Sequence, residues 1–234
     1  MSKAPLSDRD RQKQAAAQAA VDLVEDGMLV GLGTGTTAAF AIADLGRRVR
    51  DGLRIAAIPT SERTAAHARE LGISLTSFAE HQRLDLTIDG ADEVARDTLH
   101  LIKGHGGALL REKIVASASA RLVIIADGSK LVDRLGAASA VPVEVVPFGW
   151  QTTQRRLAAI GAVATPRIAG DGKLFVTDGG NVTLDCAFGA IDDPPAVERA
   201  IRSIVGVIEC GLFVGLASQV VLAEAAGIRH LRRP

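Results

Sequence analysis

The sequence predicts an α/β protein in which a largely parallel β-sheet is followed by a smaller unit of helices and antiparallel strands. Two observations support this prediction. Through about residue 130, short apolar runs alternate with helical stretches, which is the pattern of βαβ units. Beyond that point, apolar runs are joined by Gly170-Asp171-Gly172 and Asp178-Gly179-Gly180-Asn181, whose composition is typical of hairpin turns.

The elements of the first part follow from these apolar runs and their Gly and Pro boundaries. An Ala-rich helix is expected before Gly27, where it would cover the sheet. The remaining predicted elements are strand 29–32, helix 37–49, strand 53–58 stopped by Pro59, helix 61–71, strands 84–88 and 99–103, helix 108–120 and strand 122–126.

The second part is predicted to be an α+β unit with antiparallel strands. Its elements are strand 143–146, a helix that runs to about residue 160, strands 162–168, 173–177 and 182–187, and helix 195–205. The apolar stretch 207–228 is predicted to return to the first sheet. The sequence contains no internal repeat and no low-complexity tract.

Composition excludes several classes of protein. The chain has 234 residues, with 27 Lys and Arg against 27 Asp and Glu, so it lacks the positive charge expected of a nucleic-acid binder. No apolar run approaches the roughly 18 to 20 residues that span a bilayer. The first eight residues lack the apolar core of a secretory signal, which predicts a cytoplasmic protein. The two cysteines, Cys186 and Cys210, form no CxxC pattern, which excludes a disulfide framework or zinc ribbon.

A Gly-rich loop, Gly31-Leu32-Gly33-Thr34-Gly35-Thr36-Thr37, follows the first predicted strand and opens a helix. Glycines allow the backbone to approach an anion, and a helix N-terminus supplies free N–H groups. The loop is neither a dinucleotide fingerprint, because Thr36 stands where the third glycine belongs, nor a Walker A loop. Thr34, Gly35, Thr36 and Thr37 are therefore candidate phosphate or carboxylate contacts; the alternative is a tight turn without a ligand.

An acidic segment, Asp89-Gly90-Ala91-Asp92-Glu93, stands at the carboxyl end of predicted strand 84–88. In open parallel sheets, ligands bind at the carboxyl ends of strands. The carboxylates suit acid–base chemistry or the binding of hydroxyl groups, whereas no local His or Cys completes a transition-metal site. The alternative is a solvated acidic turn.

A second Gly-rich loop, Lys103-Gly104-His105-Gly106-Gly107, follows predicted strand 99–103. The Lys103 ammonium could stabilise a developing oxyanion, and the alternative is a flexible loop with an exposed lysine. Glu112 follows in the next helix with apolar neighbours, and desolvation favours the neutral form of a carboxyl group, which suits a general base. The alternative for Glu112 is an acidic residue that complements the helix dipole.

Asp127-Gly128-Ser129-Lys130 follows the next strand, and Lys130 could pair with a phosphate unless this is only a polar turn. His105 is the one histidine placed among site candidates. His67, His81, His100 and His230 are assigned surface or structural roles, and Cys186 a buried position. The sequence has no GxSxG elbow, which gives no support to hydrolysis by a catalytic triad.

Taken together, these segments resemble ribose-5-phosphate isomerase of the A type, over about residues 31 to 213. Eight segments occur in the family's order: Gly31-Leu32-Gly33-Thr34-Gly35-Thr36-Thr37, Asp89-Gly90-Ala91-Asp92-Glu93, Lys103-Gly104-His105-Gly106, Leu110-Arg111-Glu112-Lys113-Ile114, Ser129-Lys130, Pro142-Val143-Glu144-Val145-Val146-Pro147, Asp178-Gly179-Gly180-Asn181-Val182-Thr183-Leu184-Asp185 and Gly206-Val207-Ile208-Glu209-Cys210-Gly211-Leu212-Phe213.

The resemblance implies interconversion of ribose 5-phosphate and ribulose 5-phosphate in the pentose phosphate pathway, through a cis-enediolate and without a cofactor or metal. Glu112 matches the family's base, Lys103 the cation near the enediolate, and Asp89 and Asp92 the carboxylates that hold sugar hydroxyls. The matched substrate contacts are Thr34, Gly35, Thr36, Thr37, Asp89, Gly90, Ala91, Asp92, Lys103, Gly104, His105, Gly106 and Lys130. Lys13 aligns with a basic residue sometimes placed at the phosphate.

The implied fold is a Rossmann-like open parallel sheet, residues 1–132 plus 207–234, with an inserted α+β domain at 133–206. The implied assembly is a homodimer or homotetramer, with a small sugar phosphate as partner and neither nucleic acid nor membrane. This sequence departs from the family pattern at His105, where Gly is commoner, at Thr36, where Ser is commoner, and at Gly179, where Asn is usual.

Two other functions are alternatives to the isomerase activity. Similar domains serve as sugar-phosphate sensors in transcription regulators, but the short N-terminus leaves no room for a DNA-reading helix-turn-helix. An amino-sugar-phosphate deaminase would require a His-assisted ring-opening site, and the surrounding motifs do not match one.

Overall fold

The computed structural model describes residues 6–233. The first five residues, which carry part of the segment that argued against a secretory signal, lie outside the described residues. The described chain forms helices α1 (Asp8–Val21), α2 (Thr36–Arg50), α3 (Glu62–Glu70), α4 (Leu109–Ser117), α5 (Trp150–Ala159) and α6 (Pro194–Arg202). Its strands are β1 (Leu29–Leu32), β2 (Ala56–Pro59), β3 (Leu86–Gly90), β4 (Glu93–Ala95), β5 (Leu101–Ile102), β6 (Leu122–Asp127), β7 (Leu131–Val132), β8 (Val141–Val145), β9 (Val163–Pro166), β10 (Val182–Ala187), β11 (Val207–Cys210), β12 (Leu212–Phe213), β13 (Gln219–Glu224) and β14 (Gly227–Arg232).

The chain divides into two compact units. Unit 1 comprises the chain up to Gly90, Val115–Lys130 and the chain from Ala217 onward, and unit 2 comprises Ala91–Ile114 and Leu131–Leu216. The boundary between the units therefore falls inside α4, after Ile114.

Unit 1 contains a six-stranded sheet in the order β14-β13-β6-β3-β1-β2. All neighbouring pairs are parallel except β13 with β14, so the predicted parallel sheet is confirmed. Strands β1, β3 and β6 are neighbours, so their carboxyl ends meet at one edge and bring together the segments that follow them. Pro59 ends the edge strand β2, where a residue without an N–H group is tolerated.

The core of unit 1 is built from aliphatic residues of the strands and of α1 and α2. α1 buries mostly alanines, Ala16, Ala17 and Ala20, and these small side chains let the helix pack closely on β6 and β13. This confirms the prediction that the Ala-rich segment is a helix that covers the sheet.

Unit 2 contains two four-stranded sheets. One is antiparallel, in the order β11-β8-β10-β9, and the other is mixed, in the order β12-β5-β4-β7. Valines of β8, with Leu157 and Ile201 from the helices α5 and α6, form a separate core. The α+β unit predicted for the second part is therefore observed, and its predicted turns close with the Gly172 N–H donating to the Ala169 carbonyl and the Gly180 N–H to the Thr177 carbonyl.

Three sequence predictions of strands were wrong in part. The strand predicted at 99–103 shortens to β5 and pairs with β4 and β12, because Leu99 has a φ of 54° and cannot continue an extended strand. No strand forms at 173–177, where only isolated bridges from Leu174 and Val176 occur. Of the stretch 207–228 that was predicted to return to the first sheet, only β13 and the first two residues of β14 do so.

The domain boundaries predicted at 132/133 and 206/207 stay a prediction. Contacts between residues place 91–114 and 207–216 in unit 2 instead of with the parallel sheet, because β4, β5, β11 and β12 pair inside unit 2. None of the helices within residues 6–233 is both long enough and apolar enough to cross a bilayer.

Candidate active site

The loop between β1 and α2 presents an uncapped helix start. Gly35 occupies the N-cap position of α2 with a φ of 129°, and no side chain caps the helix there. An added Cβ at Gly35 would meet no atom within 4 Å, so conformation and not space selects glycine. Thr36 is exposed and Thr37 half-buried. This start of α2 therefore offers N–H groups and two hydroxyl groups to an anion.

Asp89 shapes this loop from the neighbouring strand β3. Its buried carboxylate accepts hydrogen bonds from the Thr34 N–H at 3.1 Å and the Gly90 N–H at 2.7 Å. A Cβ at Gly33 would lie 2.1 Å from the Asp89 Oδ1 atom. Glycine at position 33 is thus a requirement of the close approach between the loop and Asp89.

The hydroxyl group of Thr34 points into a buried cluster that sequence analysis missed. It lies 2.7 Å from the Thr60 hydroxyl, 2.8 Å from the Ser61 hydroxyl and 3.1 Å from the Thr64 hydroxyl. The Thr64 hydroxyl donates in turn to the Gly33 carbonyl at 3.0 Å. The Thr34 side chain therefore holds the loop against the start of α3, whereas the sequence predicted a substrate contact.

A cavity of about 270 Å³ opens beside the start of α2. Its lining includes Gly35 and Thr36 together with the basic side chains of Arg63 and His67 from α3. His67, which the sequence assigned to the surface or to structure, adds to the basic character of this part of unit 1.

A 3₁₀ turn, Gly128–Lys130, follows β6 at the same edge of the sheet. Burial of Asp127 favours its neutral form, but hydrogen bonds from Ser129 and Arg9 outweigh that effect and hold the pKa of Asp127 below its usual value. Lys130 ends the turn and is half-buried. Lys13 lies in α1, and its ammonium is 3.4 Å from the Asp10 carboxylate.

In unit 2, Lys103 and Glu112 form a buried ion pair. The Lys103 Nζ atom lies 3.3 Å from the Glu112 Oε2 atom, and each side chain is only 2% exposed. Lys103 follows β5, and its N–H donates to the Gly211 carbonyl at 2.9 Å. Glu112 lies in the first turn of α4. In the sequence, a short glycine-rich loop connects Lys103 to this helix.

The ring of Phe213 lies near both Lys103 and Lys113, a lysine of α4. The Lys103 and Lys113 ammonium groups lie 5.5 Å and 5.0 Å from the ring centroid, within the range of cation–π attraction. The Lys113 ammonium also donates to Glu198 at 3.1 Å, Glu209 at 2.9 Å and the Leu212 carbonyl at 2.7 Å. These contacts anchor α4 and occupy the acidic cluster of Glu198, Glu209 and Cys210 with an ammonium group.

The Lys103–Gly107 loop contacts Asp92. The Asp92 Oδ2 atom accepts from the His105 N–H at 3.0 Å, and the imidazole Nδ1 atom lies 3.8 Å from Asp92 Oδ1. The other ring nitrogen of His105 lies 3.0 Å from the Ala140 carbonyl oxygen. Gly106 is exposed, Gly104 buried and Ala91 half-buried. His105 therefore bridges Asp92 and a backbone carbonyl instead of extending freely.

Three other titratable residues, Glu93, Cys186 and Cys210, have structural roles. The Glu93 carboxylate is buried and accepts from the Gly136 N–H at 2.7 Å and the Ala138 N–H at 3.1 Å. Burial raises the pKa of the Cys186 thiol to about 12 and that of the Cys210 thiol to about 11, so both are unreactive thiols at neutral pH.

Both groups of candidates are supported by residues that lie far along the chain and that the sequence did not mark as site residues. In unit 1 these are Thr60, Ser61 and Thr64, for which the Ser-x-x-Thr cap of α3 was an available signal. In unit 2 they are Arg167, Asp185 and Phe213, which the sequence placed only as parts of strands or segments. No local pattern marks them, because their partners are many residues away.

Known proteins that are similar to this chain identify its family. The family described as ribose 5-phosphate isomerase A (phosphoriboisomerase A) matches residues 56–227. A ribose-5-phosphate isomerase A from Gloeobacter violaceus is 60% identical over 224 residues, covering 96% of this chain and 97% of that protein. A ribose-5-phosphate isomerase A from Gluconobacter oxydans is 53% identical over 225 residues, covering 96% and 97%.

Solved structures agree with the sequence comparison. The ribose 5-phosphate isomerase A of Methanocaldococcus jannaschii has a TM-score of 0.92 and 39% identity, covering 96% of this chain and 99% of that one. A D-ribose-5-phosphate isomerase in complex with phospho-erythronic acid has a TM-score of 0.94 and 36% identity, covering 97% and 100%. The resemblance drawn from the eight sequence segments is confirmed, and the chain belongs to the ribose 5-phosphate isomerase A family.

Proposed function

We infer that this chain catalyses the reversible interconversion of ribose 5-phosphate and ribulose 5-phosphate, the aldose–ketose isomerisation named by its family. This reaction belongs to the pentose phosphate pathway. It transfers electrons from C2 to C1 inside the substrate, so it requires a base, a stabiliser of negative charge and an anchor for the phosphate.

The observation that carries this inference is the buried Lys103–Glu112 pair. Removing two charges from water is costly, and such a pair contributes little to stability compared with apolar residues of similar volume. An ammonium beside a carboxylate is, however, what an enediolate reaction uses. The Lys103 ammonium can stabilise an oxyanion that forms beside the Glu112 carboxylate.

The proposed proton transfer uses Glu112 as the base. Its carboxylate removes the proton from C2 of the open-chain aldose, the electron pair forms the C1–C2 double bond, and O1 takes up negative charge. Lys103 stabilises that charge. Return of the proton to C1, with transfer of the O2 hydroxyl proton to O1, completes the ketose.

Asp89 and Asp92 are assigned to the sugar hydroxyls, with Gly90 and Ala91 between them as backbone contacts. A carboxylate can accept a hydroxyl proton during ring opening and return it. The backbone donors that bind each carboxylate support this role, since they orient one oxygen of each group. Gly104, His105 and Gly106 are proposed as backbone contacts of the reacting end.

The phosphate is assigned to the start of α2 and to Lys130. Gly35, Thr36 and Thr37 supply N–H and hydroxyl donors, and the positive end of the helix dipole favours a dianion. Arg63 and His67 add basic character nearby. Thr34 is assigned to the support of this loop through its buried hydroxyl.

Three further properties belong to the same proposal. We expect the reaction to proceed without a metal or cofactor, because every step uses side chains and the substrate itself. We also propose a cytoplasmic location. We further propose a homodimer or homotetramer, and light scattering of the purified chain tests this oligomeric state.

The test is turnover of ribose 5-phosphate after treatment of the purified chain with EDTA, followed as formation of the ketose. We expect turnover that survives the chelator. Saturable binding of the sugar phosphate without turnover would instead support a sensor, and loss of turnover with EDTA would contradict the metal-free reaction.

Replacement of the base tests the mechanism. Glu112→Gln removes the proton acceptor, and kcat should fall at least about 10²-fold, the low end for a general base. Glu112→Asp keeps a carboxylate and controls for the loss of charge beside Lys103. Near-normal kcat in a folded Glu112→Gln protein, verified by circular dichroism, would remove Glu112 from this role.

A further inference from the structure

One peptide unit in the second Gly-rich loop is held at both ends by charged side chains. The carbonyl oxygen of Gly104 accepts a hydrogen bond from the Arg167 Nη1 atom at 2.8 Å. The N–H of the same peptide, which belongs to His105, donates to the Asp92 Oδ2 atom at 3.0 Å. A guanidinium and a carboxylate are thus connected through a single peptide group.

Arg167 is itself held in place. Its Nε atom lies 2.9 Å from the Asp185 Oδ2 atom, and a second guanidinium nitrogen bonds the other carboxylate oxygen. The ring of Phe175 lies 5.8 Å from the guanidinium carbon. The Arg167 side chain is 15% exposed, so its orientation is fixed by packing as well as by the bidentate pair.

The Gly104 carbonyl oxygen also accepts from the Gly107 N–H at 3.0 Å, within the turn of the loop itself, so Arg167 and Asp92 are the charged partners of a peptide that has one neutral partner. Gly104 has a φ of 109°, which leaves the peptide outside the regular strand geometry of β5. Rotation of the peptide by half a turn would direct the Gly104 carbonyl oxygen at the Asp92 carboxylate, where two acceptors repel each other. Arg167 opposes that rotation from one side, and Asp92 opposes it from the other.

A charged partner at each end also strengthens the hydrogen bond to Asp92. A peptide whose carbonyl binds a cation is polarised, and its N–H becomes a better donor to an anion. The effect of Arg167 therefore reaches Asp92 without direct contact between the two side chains.

We propose that Arg167 is a positioning residue for the isomerisation, acting through the 104–105 peptide to orient the Asp92 carboxylate toward the substrate. The proposal rests on the proposed role of Asp92. It gives one side of the antiparallel sheet of unit 2 a function in the reaction, since Arg167 directly follows the edge strand β9 and Asp185 lies in its neighbour β10.

The first experiment compares wild-type protein with Arg167→Ala and Arg167→Lys in the ribose 5-phosphate assay. We expect kcat of Arg167→Ala to fall about 10- to 100-fold, the effect of one charge-assisted hydrogen bond, with KM changed less than kcat. Arg167→Lys keeps the positive charge but loses the planar guanidinium that binds several acceptors at once, and it should retain an intermediate kcat. Arg134→Ala, which breaks an exposed Arg–Asp pair of unit 2, is the control and should leave kcat unchanged.

Rescue separates positioning from a general loss of folding. Millimolar guanidinium added to Arg167→Ala should restore part of kcat and should leave Arg134→Ala unaffected, because only the former lacks a guanidinium that binds the loop. Absence of rescue in a protein whose urea unfolding matches wild type would overturn the proposal.

A double-mutant cycle tests the route through Asp92. In an Asp92→Asn background, Arg167→Ala should cost much less kcat than it does in wild type. An equal loss in both backgrounds would contradict the inference while leaving the isomerase itself intact, and an inactive wild-type protein would contradict the proposed function instead.

Discussion

At the scale of single residues, three carboxylates within five positions have three different environments. Asp89 accepts the N–H groups of Thr34 and Gly90, Asp92 accepts the His105 N–H, and Glu93 accepts two N–H groups of the segment after β7. Each carboxylate is stabilised by backbone donors, which removes the cost expected from a cluster of like charges. Glu93 is thereby a structural residue, although the sequence alone does not distinguish it from its neighbours.

Lys130 is the residue whose proposed role is simplest to test. Lys130→Ala should raise KM about 10- to 100-fold, the effect of losing one charged contact to the phosphate, with a smaller change in kcat. Steady-state kinetics with ribose 5-phosphate measures both constants. Lys173→Ala, at an exposed turn, is the control, and an unchanged KM in Lys130→Ala would exclude Lys130 from the phosphate site.

At the scale of elements, α2 begins differently from α3 and α6. The Ser61 hydroxyl accepts from Thr64 N–H at the start of α3, and Asp193 accepts from Ala196 N–H at the start of α6. The start of α2 has Gly35 and no such side-chain cap. The two side-chain caps satisfy N–H groups that a helix would otherwise leave unbonded, whereas α2 keeps those groups available to a ligand.

Gly35→Ala tests this difference. The backbone of Gly35, with φ of 129° and ψ of 177°, lies in a region that only glycine adopts readily, and alanine there should cost about 1–3 kcal/mol of unfolding free energy. We also expect a raised KM, because relaxation of the strain moves the start of α2. Urea unfolding and steady-state kinetics measure the two effects.

The control for that variant is Gly170→Ala. Gly170 has neither a positive φ nor an atom within 4 Å of an added Cβ, so its replacement should change stability little or slightly favourably. Equal behaviour of the two variants would contradict the assignment of strain to Gly35.

Local pattern predicted most elements of unit 1 because β1, β2, β6 and β13 are largely apolar runs. The errors fall where pairing is decided by distant segments. Strand β5 joins β12, which lies more than 100 residues later, and no property of 99–103 indicates which sheet it enters. Segment 173–177 has strand-like composition but lacks a regular partner, so it forms only isolated bridges.

At the scale of the whole molecule, the first helix is tied to the carboxyl end of β6 and to the turn that follows it. The Arg9 guanidinium lies 3.2 Å from the Asp127 carboxylate and 3.0 Å from the Ser129 hydroxyl. These contacts join α1 to the turn that carries Lys130. The stability of this connection depends on an ionised Asp127.

The pH dependence of unfolding follows from the lowered pKa of Asp127. Because the folded-state pKa lies below the unfolded value of 3.8, the stabilisation is fully present above pH 3.8 and is lost as pH falls through the folded-state pKa. Asp127→Asn should lower the unfolding free energy by about 1–3 kcal/mol at pH 7, the effect of charge-assisted hydrogen bonds.

Urea unfolding of wild type and Asp127→Asn from pH 7 to pH 2 measures this difference. We expect the gap between the two proteins to narrow below pH 3.8. A gap that stays constant across this range would show that the ionised carboxylate of Asp127 is not the source of the stabilisation.

The sequence by itself determined the parallel sheet, the existence of a second α+β unit, the family and the identity of the candidate residues. It did so because these depend on local features: apolar periodicity, glycines at turns and short motifs in a fixed order. Only the tertiary structure decided that Thr34 supports its loop, that Glu93 is structural, and that Lys103 and Glu112 share a buried pair. It also brought Arg167 to the Gly104 carbonyl. These depend on contacts between segments far apart in the chain, whose geometry is set by the packing of whole sheets and helices.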